Sequence, residues 1–123
     1  MFKMIGLLKR KPGLTHQEFK QYYESHHRVI GEKYLTGRAV KYMRRYLTGF
    51  PDIITGKIPE QPYDVVLEIW YPDKATFEKT SVELAAPEVA TEIAADEDKL
   101  FDRNKNAFFY VDESESELVP LIS

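Results

Sequence analysis

His26 and His27 stand side by side and are two of only three histidines in the 123-residue chain. An imidazole exchanges protons near neutrality, which suits it to take a proton from a substrate and give one back. Tyr22 and Tyr23 lie four residues earlier, a spacing that on a helix pairs Tyr22 with His26 and Tyr23 with His27. A phenol so placed can donate to a developing oxyanion or hold an imidazole in one tautomer. The third histidine, His16, falls in the first turn of the same segment, where exposure is expected.

Asp64 and Glu68 are the second cue. They share one parity of a strand with Val66 and Trp70, and carboxylates are rarely buried unless paired or functional. If that parity lines a cavity, Asp64 can assist a leaving group and Glu68 and Trp70 can contact substrate. If it faces outward, the acids pair across the sheet with Arg44 or Arg45. Tyr42 and Arg45, on the preceding strand, complete the set that could surround a ligand.

Other chemistries find little here. Adjacent histidines on a helix diverge by about 100°, and neither HxxxH nor HExxH is present, so no metal site is expected. No glycine-rich phosphate loop or dinucleotide fingerprint occurs, and no cofactor is expected. The absence of cysteine excludes disulfides, thiolate metal sites and a Cys nucleophile, and fits a reducing compartment, the cytoplasm.

The elements that position these residues emerge from periodicity. Residues 2–9 read as a strand closed by Lys11-Pro12-Gly13. Thr15 with Glu18 has the form of a capping box and Leu14 with Phe19 that of a hydrophobic staple, so a helix opens there. Phe19, Tyr22, Tyr23, His26, His27 and Ile30 form its inward stripe, and it ends near Gly31 or frays toward Gly37. Residues 38–48 and 63–71 read as strands flanking a proline- and glycine-rich loop over 49–62. A short helix over 74–80, capped by Asp73, turns Phe77 inward. A second helix begins after Pro87, with Val89, Ile93 and either Ala94 or Glu97 on its apolar stripe, and residues 105–112 form the last strand. The order β-α-β-β-α-β predicts an α+β ferredoxin-like sandwich, a four-stranded antiparallel sheet with helices on one face. The other face, apolar through Trp70 and the last strand, calls for cover by a second copy.

Length predicts one domain over 1–113, and a tail over 114–123 whose terminal Leu118, Val119, Leu121 and Ile122 suggest packing on a partner subunit. No stretch approaches a membrane span. A net charge of −3 offers no footprint for nucleic acid. Lys33, Arg38, Lys41, Arg44 and Arg45 cluster within thirteen residues and read most simply as solvated charges.

The opening MIGLLKRKPGLTHQEFKQYYESHH resembles the start of EthD-domain proteins, a branch of the dimeric α-β barrel superfamily. YDVVLEIWYPDKATFEK and DEDKLFDRNKNAFFYVDE are similar to the family's third and closing strands, including Phe101-Asp102-Arg103. The resemblance spans residues 2–113. It implies a homodimer with two facing sheets, a cavity in each protomer between helices and sheet, and His27 as the family-like histidine, with Phe101 near the substrate. It also implies cofactor-independent chemistry on an aromatic, hydroxylated cyclic or polyketide-derived compound: a lyase (dehydratase or decarboxylase), alternatively a monooxygenase, alternatively a non-catalytic accessory protein. Tyr23 stands where the family more often has tryptophan, and Arg28-Val29-Ile30 replaces the usual Ala-Pro-Leu.

Overall fold

The computed structural model describes residues 1–121; Ile122 lies outside the described residues. Four strands, β1 (Phe2–Leu8), β2 (Lys41–Tyr46), β3 (Val65–Tyr71) and β4 (Ala107–Tyr110), form one antiparallel sheet in the order β2-β3-β1-β4. Two crossovers connect it. The first contains α1 (His16–Tyr22), a π-helical turn over Tyr23–His27 and α2 (Arg28–Leu35), which together make one long helix. The second contains α3 (Lys74–Leu84) and α4 (Pro87–Leu100), and a short 3-10 turn over Arg103–Lys105 leads into β4. This is the ferredoxin-like α+β arrangement.

Local chemistry sets the element ends. The Thr15 hydroxyl accepts from the Glu18 N–H while the Glu18 carboxylate accepts from the Thr15 N–H, so both ends of the capping box are made. Gly37, at φ +82°, supplies the left-handed residue that stops α2, six residues beyond Gly31. The Asp73 carboxylate accepts from the Thr76 N–H at the start of α3, which runs to Leu84 rather than stopping at residue 80. Pro87 occupies the first turn of α4, where its missing N–H costs nothing.

The register settles the question of parity. Val65, Leu67, Ile69 and Tyr71 are buried on the helix side of β3, beside Phe2, Met4, Gly6 and Leu8 of β1 and Tyr42, Arg44 and Tyr46 of β2. Phe19 and Tyr23 from the long helix, together with Leu100 and Phe101, close this core. Burying such a side chain contributes about 1.5–3 kcal/mol each. Edge-to-face contacts of Phe19 with Tyr23, Tyr46 and Phe101, at 5.8–6.3 Å between ring centres, orient the aromatic part of it.

The opposite face carries Lys3, Ile5, Leu7, Lys41, Met43, Arg45, Val66, Glu68, Trp70 and Phe109. Glu68 forms an ion pair with Arg45 and accepts from the Trp70 indole at 3.0 Å, and Lys3 and Lys41 sit 3.8 and 4.1 Å from the centre of the Trp70 ring. Among the described residues no helix is long and apolar enough to cross a membrane.

Candidate active site

Between the long helix, α3, α4 and the helix side of the sheet lies a cavity of about 460 Å³. Met4, Ile30, Leu35, Leu67, Ile69, Phe77, Leu84 and Ile93 supply most of its wall, and Tyr23, His27, Tyr34, Tyr42, Tyr71 and Ser81 supply its polar atoms.

His27 reaches this cavity because the helix is π-wound just there. Four residues along an α-helix overshoot a full turn by about 40°, so the row Phe19, Tyr23, His27, Gly31, Leu35 would spiral off the core face. In the π turn the Arg28 N–H donates to the Tyr23 carbonyl, five residues back, which widens the turn and offsets part of that drift. The Glu24 carbonyl, left without its usual helical donor, accepts instead from the Arg28 guanidinium at 2.7 Å. The Ser25 hydroxyl donates to the Gln21 carbonyl at 2.6 Å. The Glu24 side chain ties the turn to β2, accepting from Arg44 at 2.8 and 3.0 Å and from the Tyr46 hydroxyl at 2.6 Å. The Arg44 contacts outweigh burial and hold the Glu24 carboxyl below its ordinary range.

The His27 imidazole is oriented from behind. Its Nδ1 lies 2.8 Å from one carboxylate oxygen of Asp96, and the other accepts from the Tyr22 hydroxyl at 2.5 Å. Asp96 is almost fully buried. An acceptor at Nδ1 favours the tautomer whose proton sits there, leaving Nε2 as the free base. Burial and the Asp96 carboxylate push the Tyr22 phenol up to about 12, so it stays a donor. Phe101 meets His27 edge to face at 5.4 Å and Tyr23 at 5.8 Å, walling the imidazole in.

Two phenols line the cavity with His27. The Tyr42 hydroxyl donates to the Tyr23 hydroxyl at 3.3 Å, which leaves the Tyr23 proton for a further acceptor. Burial pushes both phenols up, so both remain protonated donors. Gly31 makes this possible: a Cβ there would stand 2.7 Å from the Tyr42 hydroxyl.

Several expected site residues lie elsewhere. His26 is exposed, stacked on Tyr22 at 4.5 Å, with its Nδ1 on Ser25; the π turn separates it from the cavity. Tyr22 donates to Asp96 and does not line the cavity. Asp64 is buried, but it accepts from the Arg10 N–H at 2.9 Å and contacts His16 Nδ1 at 2.9 Å, with Lys9 and the Arg10 guanidinium nearby. It fastens the end of β1 to the start of α1, none of its contacts belongs to the cavity wall, and His16 is thereby half-buried instead of exposed. Arg45, Glu68 and Trp70 lie on the opposite sheet face, because β3 turns its other parity inward. The remaining basic residues are engaged as well: Lys33 with Glu92, Arg38 with Glu83 and Arg44 with Glu24.

Asp96 is a site residue that the sequence pattern alone did not single out. Its signal is its position three residues after Ile93 and four before Leu100, which puts a carboxylate on the apolar stripe of α4. Among the described residues no three His, Asp or Glu side chains gather as they would around a metal.

An α+β sandwich with a histidine–aspartate pair facing an apolar cavity is thus the class of protein at hand. A family model for the EthD domain matches residues 11–104, and the chain belongs to that family. No curated protein matches it. A crystal structure of an EthD family protein from Bacillus halodurans superposes with a TM-score of 0.63 at 17% identity, covering 93% of this chain and all of that one. A dimeric protein of unknown function and ferredoxin-like fold from Bacteroides fragilis gives 0.55 at 12% identity, covering 91% and 95%. A protein described as an antibiotic biosynthesis monooxygenase gives 0.52 at 14% identity, covering 94% and 100%. At such identities the likeness is one of fold.

Proposed function

We propose that the protein is a cofactor-independent lyase that removes water or carbon dioxide from a hydroxylated cyclic, aromatic or polyketide-derived carbonyl compound. The observation that carries this reading is the His27–Asp96 pair at 2.8 Å facing a largely apolar cavity that also holds the Tyr23 and Tyr42 hydroxyls. For loss of water, His27 Nε2 takes the proton from the carbon beside the carbonyl, and the electron pair moves onto the carbonyl oxygen. Tyr23, backed by Tyr42, donates to that oxygen, and Asp96 stabilises the imidazolium. The enolate then re-forms its carbonyl, the β-hydroxyl leaves with the proton held by His27, and a carbon–carbon double bond and one water result. The apolar wall keeps solvent away from the enolate.

The same base fits a second reading, suggested by the monooxygenase among the structural neighbours. There the carbanion or phenolate made by His27 gives electrons directly to dioxygen. Incubation with 3-hydroxy-1-tetralone separates the two. The lyase reading expects 1-naphthol and water under nitrogen as fast as under air. Turnover that stops without oxygen supports the monooxygenase, and turnover unchanged in His27→Ala contradicts both.

We also propose a homodimer in which the face holding Ile5, Leu7, Met43, Val66, Trp70 and Phe109 meets its counterpart. An apolar sheet face of this kind needs cover. The tail after residue 113, exposed from Glu113 to Leu121 in the single chain, is proposed to pack on that second copy.

A further inference from the structure

We infer that the His27 cavity selects neutral carbonyl compounds and turns away free carboxylates, which makes loss of water, rather than loss of carbon dioxide, its reaction. This rests on the reading of the cavity as the place where His27 acts.

Among the described residues no lysine or arginine lines the cavity. The cations near its edges are already held by acids: Arg44 by Glu24, Lys33 by Glu92 and Arg38 by Glu83. His27 offers no spare positive charge, because an imidazolium there is balanced by Asp96 at 2.8 Å. The other ionisable groups around it are acidic. Glu92 accepts from the Tyr34 hydroxyl at 2.5 Å, just behind the wall. Glu97, next to Asp96 on α4, is pushed up by burial against the pull of His27 and Arg103. A carboxylate entering this space loses its water and finds phenol hydroxyls but no counter-charge, a transfer that is strongly unfavourable. At neutral pH the substrate of a decarboxylation arrives as such a carboxylate. A ketone loses far less on desolvation and finds the donor it needs in Tyr23.

Calorimetric binding to the full-length protein at neutral pH tests this with two bicyclic probes of similar size, 2-tetralone and 2-naphthoate. Tetralone is expected to bind at least tenfold more tightly. Ser81→Lys, which adds a cation at an exposed position of the cavity wall, is expected to raise naphthoate affinity and narrow that ratio. Naphthoate binding as tightly as tetralone overturns the proposal, as does failure of both to bind or a ratio indifferent to Ser81→Lys. The underlying reading fails separately: it falls if exchange of the tetralone α-protons with solvent is the same for wild type and His27→Ala.

Discussion

The proposed reaction gives Asp96 and Tyr23 different tasks, and substitution should separate them. Asp96→Asn keeps the shape of the residue but offers Nδ1 an amide that no longer stabilises the imidazolium. It is expected to lower turnover of 3-hydroxy-1-tetralone by about 10- to 100-fold, mainly in kcat, and to alter its pH profile. Tyr23→Phe removes the oxyanion donor, and a loss of about 100- to 1,000-fold is expected with the pH profile unchanged. Steady-state kinetics across pH check both. That His27 and Tyr23 share one inward stripe was legible from helical spacing, and both line the cavity. Asp96 was not legible, since Ala-Asp-Glu-Asp-Lys looks like a solvated helix face until the contact with His27 is seen. Asp64 could be read from the sequence either as an assisting acid or as a structural partner of Arg44 or Arg45, and its partners are instead the Arg10 N–H and His16, which lie far from it in sequence.

The π turn sets where the long helix places His27 on the cavity wall. It interrupts the regular ladder, and the Arg28 side chain supplies the donor that the Glu24 carbonyl lacks. Deleting Ser25 should let the helix close to regular α-winding with Tyr23 and His27 three residues apart, which turns one against the other by part of the roughly 100° that one residue spans. Thermal melting is expected to show a folded protein, while turnover falls at least 100-fold because His27 and Tyr23 no longer share the cavity. Retained turnover would show that the widened turn does not matter. The capping box, the turn at Lys11-Pro12-Gly13 and the order of strands could all be read from local signals. The π turn could not, because helical periodicity assumes one winding throughout. The parity of β3 was equally hidden, since Val65, Leu67 and Ile69 on one side and Val66 and Trp70 on the other both look fit for burial.

For the whole molecule, one face of the sheet builds the cavity and the other is the face proposed to meet a second copy. Phe109→Glu puts a carboxylate on that second face without touching the cavity wall. Light scattering is expected to show the wild type as a dimer and the variant as a monomer, and a wild-type monomer at all concentrations would contradict the assembly. Acid sensitivity belongs to this scale too, because Asp64 joins β1, β3 and α1. Burial pushes its carboxyl up, but the Arg10 N–H, His16, Lys9 and Arg10 outweigh that and hold it below the ordinary value. A lowered native pKa means that its contribution is complete above the unfolded value of about 3.9 and fades as pH falls through the native one. Asp64→Asn should therefore cost about 1.5–3 kcal/mol at neutral pH in urea denaturation and flatten the loss of stability below about pH 4. An unchanged acid limb would mean that other carboxylates govern it.

His27 is proposed as a base aimed into the cavity, and proton NMR of 2-tetralone in deuterium oxide tests that role most directly. The wild-type protein is expected to exchange the α-protons of the ketone faster than buffer alone, and His27→Ala to lose about 100- to 10,000-fold of that rate. Exchange by His27→Ala at the wild-type rate would show that His27 is not that base.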